Sequence, residues 1–161
     1  MTTQQYLSDE EAQKRRDQEW RHEHDAGGFH CAHCNTFVAI NARMGTVHRN
    51  HCNICLWSKH VDDAKGDRRA ACNGGMEPIG LTFKHEGQGR SGEIMLIHLC
   101  TACQKVSINR IARDDPEDTI LQIFDTSLTL DQALRDTITA GGIYILGESD
   151  RPEVRVQLFG K

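Results

Sequence analysis

The chain has no run of 18 apolar residues, so no segment is suited to cross a membrane as a helix. Its N-terminal stretch is polar and charged and lacks the apolar core of a secretory leader. These two absences place it, as an expectation, in the reducing cytoplasm. Bulky apolar residues are also scarce. Hydrophobic residues make up 38% and aromatics 6% of 161 residues, which leaves a thin core for this length. Chains short of core are commonly stapled by disulfides or metals. A full disulfide framework fits poorly, because the seven cysteines are odd in number and a reducing compartment opposes it. Metal ligation is the remaining staple.

A strong charge of one sign is missing too. The net charge is −4. Residues 1–40 carry four Lys/Arg against seven Asp/Glu, residues 41–113 eleven against six, and residues 114–161 four against ten. The centre is basic and the flanks are acidic. Seven thiolates on two divalent ions add a net −3 across the cysteine-bearing segment, so the basic bias weakens further and stays well below the footprint of an obligate DNA binder.

Three sections follow from the pattern. Residues 1–28 read as a polar arm or helix, with Ser8 and Glu11 as a capping box and Gly27-Gly28 as its end. Residues 29–115 hold every cysteine and many glycines. Strands are expected at Thr36–Ile40, Thr46–Arg49, Ile79–Lys84, Ile94–His98 and Lys105–Ile108, with a hairpin loop at Glu86–Gly92. Residues 116–161 read as an accessory α+β extension behind an acidic hinge. In it Ile120–Phe124 is a strand or short helix, Leu128–Thr139 is a helix, and Ile143–Leu146 and Glu153–Phe159 are strands joined by a turn. The fold class expected is a small β-rich zinc-binding domain of zinc-ribbon type, with two zinc sites and this C-terminal extension.

The chemistry lies in the cysteines. Three C-x-x-C pairs occur, Cys31/Cys34, Cys52/Cys55 and Cys100/Cys103, with Cys72 alone. A C-x-x-C turn puts two sulfurs on one side of a tight loop, and two such turns complete a tetrahedron around an ion. The 17 residues between Cys34 and Cys52 leave room for a hairpin. Cys72, Cys100 and Cys103 then need a fourth donor. His60 is the first choice, ahead of His98, His51 and His48. A second grouping uses the same eight residues, with Cys52, Cys55, His60 and Cys72 on one ion and Cys31, Cys34, Cys100 and Cys103 on the other. The histidine and the hairpin spacing favour Zn²⁺, two per chain, over an iron–sulfur cluster. A redox C-x-x-C would need a βαβ setting that the pattern does not offer.

With these residues in view the chain resembles the RNHCP-domain family. The resemblance rests on Arg49-Asn50-His51-Cys52 with Cys55-Leu56, and on Ser58-x-His60-Val61-Asp62. It continues through Gly66-Asp67-Arg68, Cys72, Met76-x-Pro78-Ile79 and Cys100-x-x-Cys103 with Asn109-Arg110-Ile111-Ala112. Asn53 stands where the family's eponymous proline would be. The resemblance implies zinc binding and says little of activity.

For function, the basic centre suggests a structural zinc-ribbon module that contacts RNA or a ribonucleoprotein such as the ribosome. Arg43, Arg49, Lys59, Arg68, Arg69 and Arg110 are the candidate contacts, and Trp57, Phe37 and His48 lie among them for base stacking. The alternatives are a protein-interaction adaptor, with contacts through the polar arm and acidic extension, or an enzyme of unknown class using His51, Asp67 or Arg68. Asn50, Asp62, Asp67, Arg68 and Asn109 read more naturally as supports for metal ligands. Eight donors for two ions leave no open coordination position, and the H-x-E…P-C-x-x-C pattern of a zinc deaminase is absent. Both count against an enzyme.

Overall fold

The computed structural model describes residues 6–40, 49–64, 68–85 and 91–161. Helix α1 spans Asp9–Ala26. Its start is the expected capping box: the Glu11 N–H donates to Ser8 Oγ at 3.3 Å, and the Ser8 N–H donates to Glu11 Oε2 at 2.9 Å. Asp9, Glu10 and Glu11 in the first turn oppose the helix dipole. The helix is polar nearly all round. Ala12, 1% exposed, marks the side it buries.

Among the described residues six strands follow in chain order: β1 Gly28–His30, β2 Phe37–Ala39, β3 Ser58–Lys59, β4 Gly75–His85, β5 Ser91–Cys100 and β6 Val106–Arg110. Strands β1 and β2 form an antiparallel pair with Phe29 opposite Val38. The other four form a sheet of order β3-β4-β5-β6. Ser58 pairs with Met76, and Ile97 pairs with Ile108. The expected strands at 36–40, 79–84, 94–98 and 105–108 overlap β2, β4, β5 and β6. The expected strand at 46–49 and hairpin loop at 86–92 fall largely outside the described residues.

The chain divides into two compact units, Met1–Glu77 with Cys100–Lys105, and Pro78–Leu99 with Val106–Lys161. In the second unit Ile79, Ile97 and Ile138 form a buried cluster flanked by Leu99, Val106, Leu134, Ile143 and Ile145. Helix α2, Glu117–Ser127, buries Ile120, Phe124 and Ser127, the i, i+4, i+7 stripe of an amphipathic helix. Helix α3, Gln132–Ala140, starts at Asp131, whose side chain accepts from the Leu134 N–H at 2.8 Å. Among the described residues no helix is long and apolar enough to cross a membrane.

The α+β expectation for residues 116–161 is corrected. This segment is helical, with no strand. Ile120–Phe124 lies inside α2, and Leu128 caps that helix instead of opening the next. Ile143–Leu146 is irregular, although the Leu146 N–H donates to Leu81 C=O at 2.9 Å. Glu153–Phe159 belongs to α4, Arg151–Phe159. Its alternation of apolar and polar residues imitates a strand, but Pro152 sits in the first helical turn and Gly160 caps the end at φ 75°. Val154 is buried while Val156 is 50% exposed, so the two do not share the face that a strand would give them.

Candidate metal centres

The three C-x-x-C segments fold alike. After the second cysteine the chain turns back through one residue in the left-handed region: Asn35 (φ 59°), Leu56 (φ 63°) and Gln104 (φ 67°). The N–H of that residue donates to the carbonyl of the first cysteine, Asn35 to Cys31 at 2.9 Å, Leu56 to Cys52 at 3.0 Å and Gln104 to Cys100 at 2.9 Å. The N–H of the first cysteine donates to the carbonyl two residues past the second, Cys31 to Thr36, Cys52 to Trp57 and Cys100 to Lys105, at 2.8–2.9 Å. This pair of bonds fixes the turn so that both sulfurs emerge on one side. Backbone donors then aim at the sulfurs: His33 N–H lies 3.4 Å from Cys31 Sγ, and Ile54 N–H lies 3.3 Å from Cys52 Sγ.

A fourth turn has the same two bonds but is split. The Asn73 N–H donates to His60 C=O at 2.9 Å, and the His60 N–H donates to Gly74 C=O at 2.8 Å. Asn73 is again left-handed, with φ 55°. His60 and Cys72 thus occupy the two ligand positions of a knuckle, and residues 61–71 are inserted between them. Gly74 is required by close packing. A Cβ there would lie 2.7 Å from Ala102 Cβ and 2.8 Å from Cys100 Sγ.

The four turns converge in pairs. Donor atoms of Cys31, Cys34, Cys52 and Cys55 lie within 4.8 Å of one another, as do those of His60, Cys72, Cys100 and Cys103. Of the two groupings that the spacing allows, this is the first. All eight donors belong to the first unit. Cys52, Cys100 and His60 are buried, while Cys34 faces solvent. Across the first cluster Cys31 Sγ lies 3.6 Å from Cys55 Sγ, and Cys34 Sγ lies 3.7 Å from Cys52 Sγ. Across the second, Cys72 Sγ lies 3.6 Å from Cys100 Sγ, and Cys103 Sγ lies 3.2 Å from His60 Nδ1. These sulfurs are far beyond disulfide length. A tetrahedron with metal–sulfur bonds of about 2.3 Å has edges of about 3.8 Å, which the spacing approaches.

Protonation follows the packing. Hydrogen bonds from Thr36 draw the Cys34 thiol down to about 6. Burial pushes the Cys103 thiol up to about 11 and raises Cys52 and Cys55 as well. Crowded thiols cannot all ionise without a counter-charge, which a divalent cation would supply. Burial, with Lys105 nearby, lowers the His60 imidazole, so it stays neutral and keeps a lone pair for ligation. Its Nε2 is buried with no hydrogen-bond partner among the described residues.

The competing histidines are engaged elsewhere. His98 is buried in the second unit, with the Asn109 amide donating to its Nδ1 at 2.9 Å. His51 is buried, its Nδ1 2.7 Å from Asn50 Oδ1. His48 lies outside the described residues. The Asp62 carboxylate Oδ1 accepts from the Arg68 N–H at 2.8 Å, within the inserted loop. Asp67 lies outside the described residues.

The proposed RNA contacts do not form one free basic face. Arg49 is buried, at 6% exposure, so it cannot meet a phosphate backbone, and this expectation is corrected. Arg43 lies outside the described residues. Arg68 pairs with Glu19 at 3.0 Å, Arg69 with Asp9 at 3.1 Å and Arg110 with Glu93 at 2.7 Å. Lys59 is exposed on β3. Trp57 stacks on His33 with ring centres 3.8 Å apart and planes 3° from parallel. Sequence reasoning missed Arg15, Glu19 and Asn73, which hold the split knuckle. Their partners are 49 to 58 residues away, and no local motif announces them.

Four knuckle turns gather two sets of four Cys/His donors, each with a geometry that could hold a metal ion. The RNHCP domain model matches residues 26–121, and the chain belongs to that family. No curated protein and no solved structure matches it.

Proposed function

We propose that the two clusters hold structural Zn²⁺, one by Cys31, Cys34, Cys52 and Cys55, the other by His60, Cys72, Cys100 and Cys103. The observation that carries this reading is the sulfur spacing of 3.6–3.7 Å, set by hydrogen-bonded knuckles. Four protein donors fill a tetrahedral shell, so each ion would be a staple and not a site for substrate. A mixed Cys₃His set suits zinc better than a cluster of iron and sulfide. The first unit has a small apolar cluster, Cys31, Val38 and Cys52 with Phe29 and Cys55, so two of its three buried members are themselves ligands. Elemental analysis of the purified chain should find two zinc ions. X-ray absorption should give sulfur near 2.3 Å and nitrogen near 2.0 Å. A well-folded, metal-free chain would end this reading.

A second reading concerns contact with single-stranded RNA. It is favoured by the stacked His33–Trp57 pair, whose members sit in and just after two knuckles of the four-cysteine cluster, and by the exposed Lys59 two positions beyond Trp57. Aromatic planes accept unpaired bases, and cations attract phosphates. Binding to an RNA pool should weaken as salt rises, and Lys59→Ala and Trp57→Ala should weaken it further. Affinity unaffected by both substitutions would remove this reading.

A further inference from the structure

The split knuckle poses a mechanical problem. In an intact knuckle two residues join the ligands, and the turn is stiff. Between His60 and Cys72 the connection is the eleven residues 61–71. A longer connection is entropically costlier to hold closed. The bonds of His60 to Asn73 and Gly74 and the pairing of Lys59 with Gly75 bring Cys72 beside His60, and a hold on the inserted loop would reinforce them.

Helix α1 is in position to do so. Arg15 Nη1 donates to Ala70 C=O at 2.6 Å, and Arg15 Nη2 donates to Asn73 Oδ1. Ala70 and Asn73 flank Cys72, and Asn73 is the residue that closes the turn onto His60. Arg15 is itself held by Glu19 at 3.1 Å. The same Glu19 reaches Arg68 at 3.0 Å, and Arg68 reaches Asp62 at 3.7 Å. A chain of alternating charges therefore runs Arg15–Glu19–Arg68–Asp62 across the inserted loop. The Leu7 N–H donates to Arg69 C=O at 2.8 Å, Tyr6 bridges to Ala70, and Arg69 pairs with Asp9. Ala12, almost fully buried, lets the helix approach closely. All these residues belong to one unit. Residues 6–19 lie outside the RNHCP match.

We propose that α1 is a positioning element for the second metal site: Arg15 clamps the Cys72–Asn73 turn, and the Glu19–Arg68–Asp62 chain holds the inserted loop, so the arm governs how long the ion at His60, Cys72, Cys100 and Cys103 is retained. This rests on the reading that the cluster binds zinc. The four-cysteine site has two intact knuckles and needs no such clamp. The arm therefore controls one ion and not the other.

The test is the release of zinc from the full-length, zinc-loaded chain to a chromogenic chelator. Unmodified protein should release two ions in two phases, and Cys34→Ser should abolish the phase of the four-cysteine site, assigning both. Arg15→Ala should accelerate the other phase on the order of tenfold, the effect of losing a charged hydrogen bond. Ala12→Glu, which undocks the helix without touching a ligand, should do the same. Raising salt to about 1 M on unmodified protein, which shortens screening to about 3 Å, should accelerate that phase alone. Lys14→Ala, whose partner Glu10 is on the same helix, should change neither phase. Two ions released at unchanged rates by Arg15→Ala and Ala12→Glu would overturn the proposal and leave the zinc reading intact. So would equal acceleration of both phases, or an effect of Lys14→Ala as large as that of Arg15→Ala. A chain that takes up no zinc would overturn both.

Discussion

The Asn73 N–H donates to His60 C=O at 2.9 Å and so makes a knuckle of two residues twelve positions apart in ligand numbering, His60 and Cys72. Its bond pattern repeats that of the three C-x-x-C turns. The histidine therefore stands where the other turns have their first cysteine.

From that equivalence, His60→Cys should keep two zinc ions per chain, since a thiolate at the first knuckle position is what the other three turns already use. His60→Ala should retain one. Elemental analysis of both variants distinguishes a ligand from a packed core histidine, for which either substitution would leave the count at two.

Gly74→Ala should weaken the second site. The added methyl would lie 2.7 Å from Ala102 Cβ, 2.8 Å from Cys100 Sγ and 3.2 Å from Cys72 Sγ. Overpacking of this kind costs about 1–3 kcal/mol. The expected outcome is a lower thermal midpoint and tighter competition from a chelator. An unchanged midpoint with two tightly held ions would show that the neighbours move aside freely.

Metal removal should act on one unit before the other. Structural zinc contributes on the order of 10 kcal/mol in finger peptides. Chelation should therefore expose the knuckle amides of Asn35, Leu56, Asn73 and Gln104 to hydrogen exchange. The apolar cluster of Ile79, Ile97 and Ile138 contains no ligand, and its strands and helix should stay protected longer. Simultaneous loss of protection in both units would refute this order.

Acid should fray α1. The Ser8 N–H and hydroxyl hold the Glu11 carboxyl below its ordinary value. A depressed folded pKa means that the unfolded arm binds more protons in the window between the two values. The stabilisation is present above the unfolded value and lost as pH falls through the folded one. Glu11→Gln should remove that part of the pH dependence, read as helical signal while pH falls below the ordinary carboxylate value. Identical profiles for both chains would show that the carboxylate is immaterial.

The candidate ligands were legible because C-x-x-C is local and because counting donors demands a fourth partner for Cys72, Cys100 and Cys103. His60 was already preferred to His98 for its place soon after the second knuckle, but the main-chain bonds that make it part of a split knuckle are displayed by no spacing. Strands β4 and β5 were legible from apolar runs between turn residues. Helix α4 was misread because Val154, Val156 and Leu158 alternate, a signal that outweighed Pro152 and Gly160 at its ends. Arg49 was misread because a cation in a basic stretch looks solvated, whereas here it is enclosed. The ladder from Arg15 to Asp62 was invisible, since charge pairs distant in sequence carry no periodicity.

The left-handed turns have one more consequence, for how the chain tolerates change. A residue with a Cβ is strained there by about 1–2 kcal/mol, and only glycine escapes the penalty. Leu56 is wholly enclosed, so shrinking it would forfeit packing. Gln104 points outward and has no such role. A glycine in its place would ease the third knuckle at little cost, which makes that position a natural first choice for anyone wishing to build a sturdier version of the molecule.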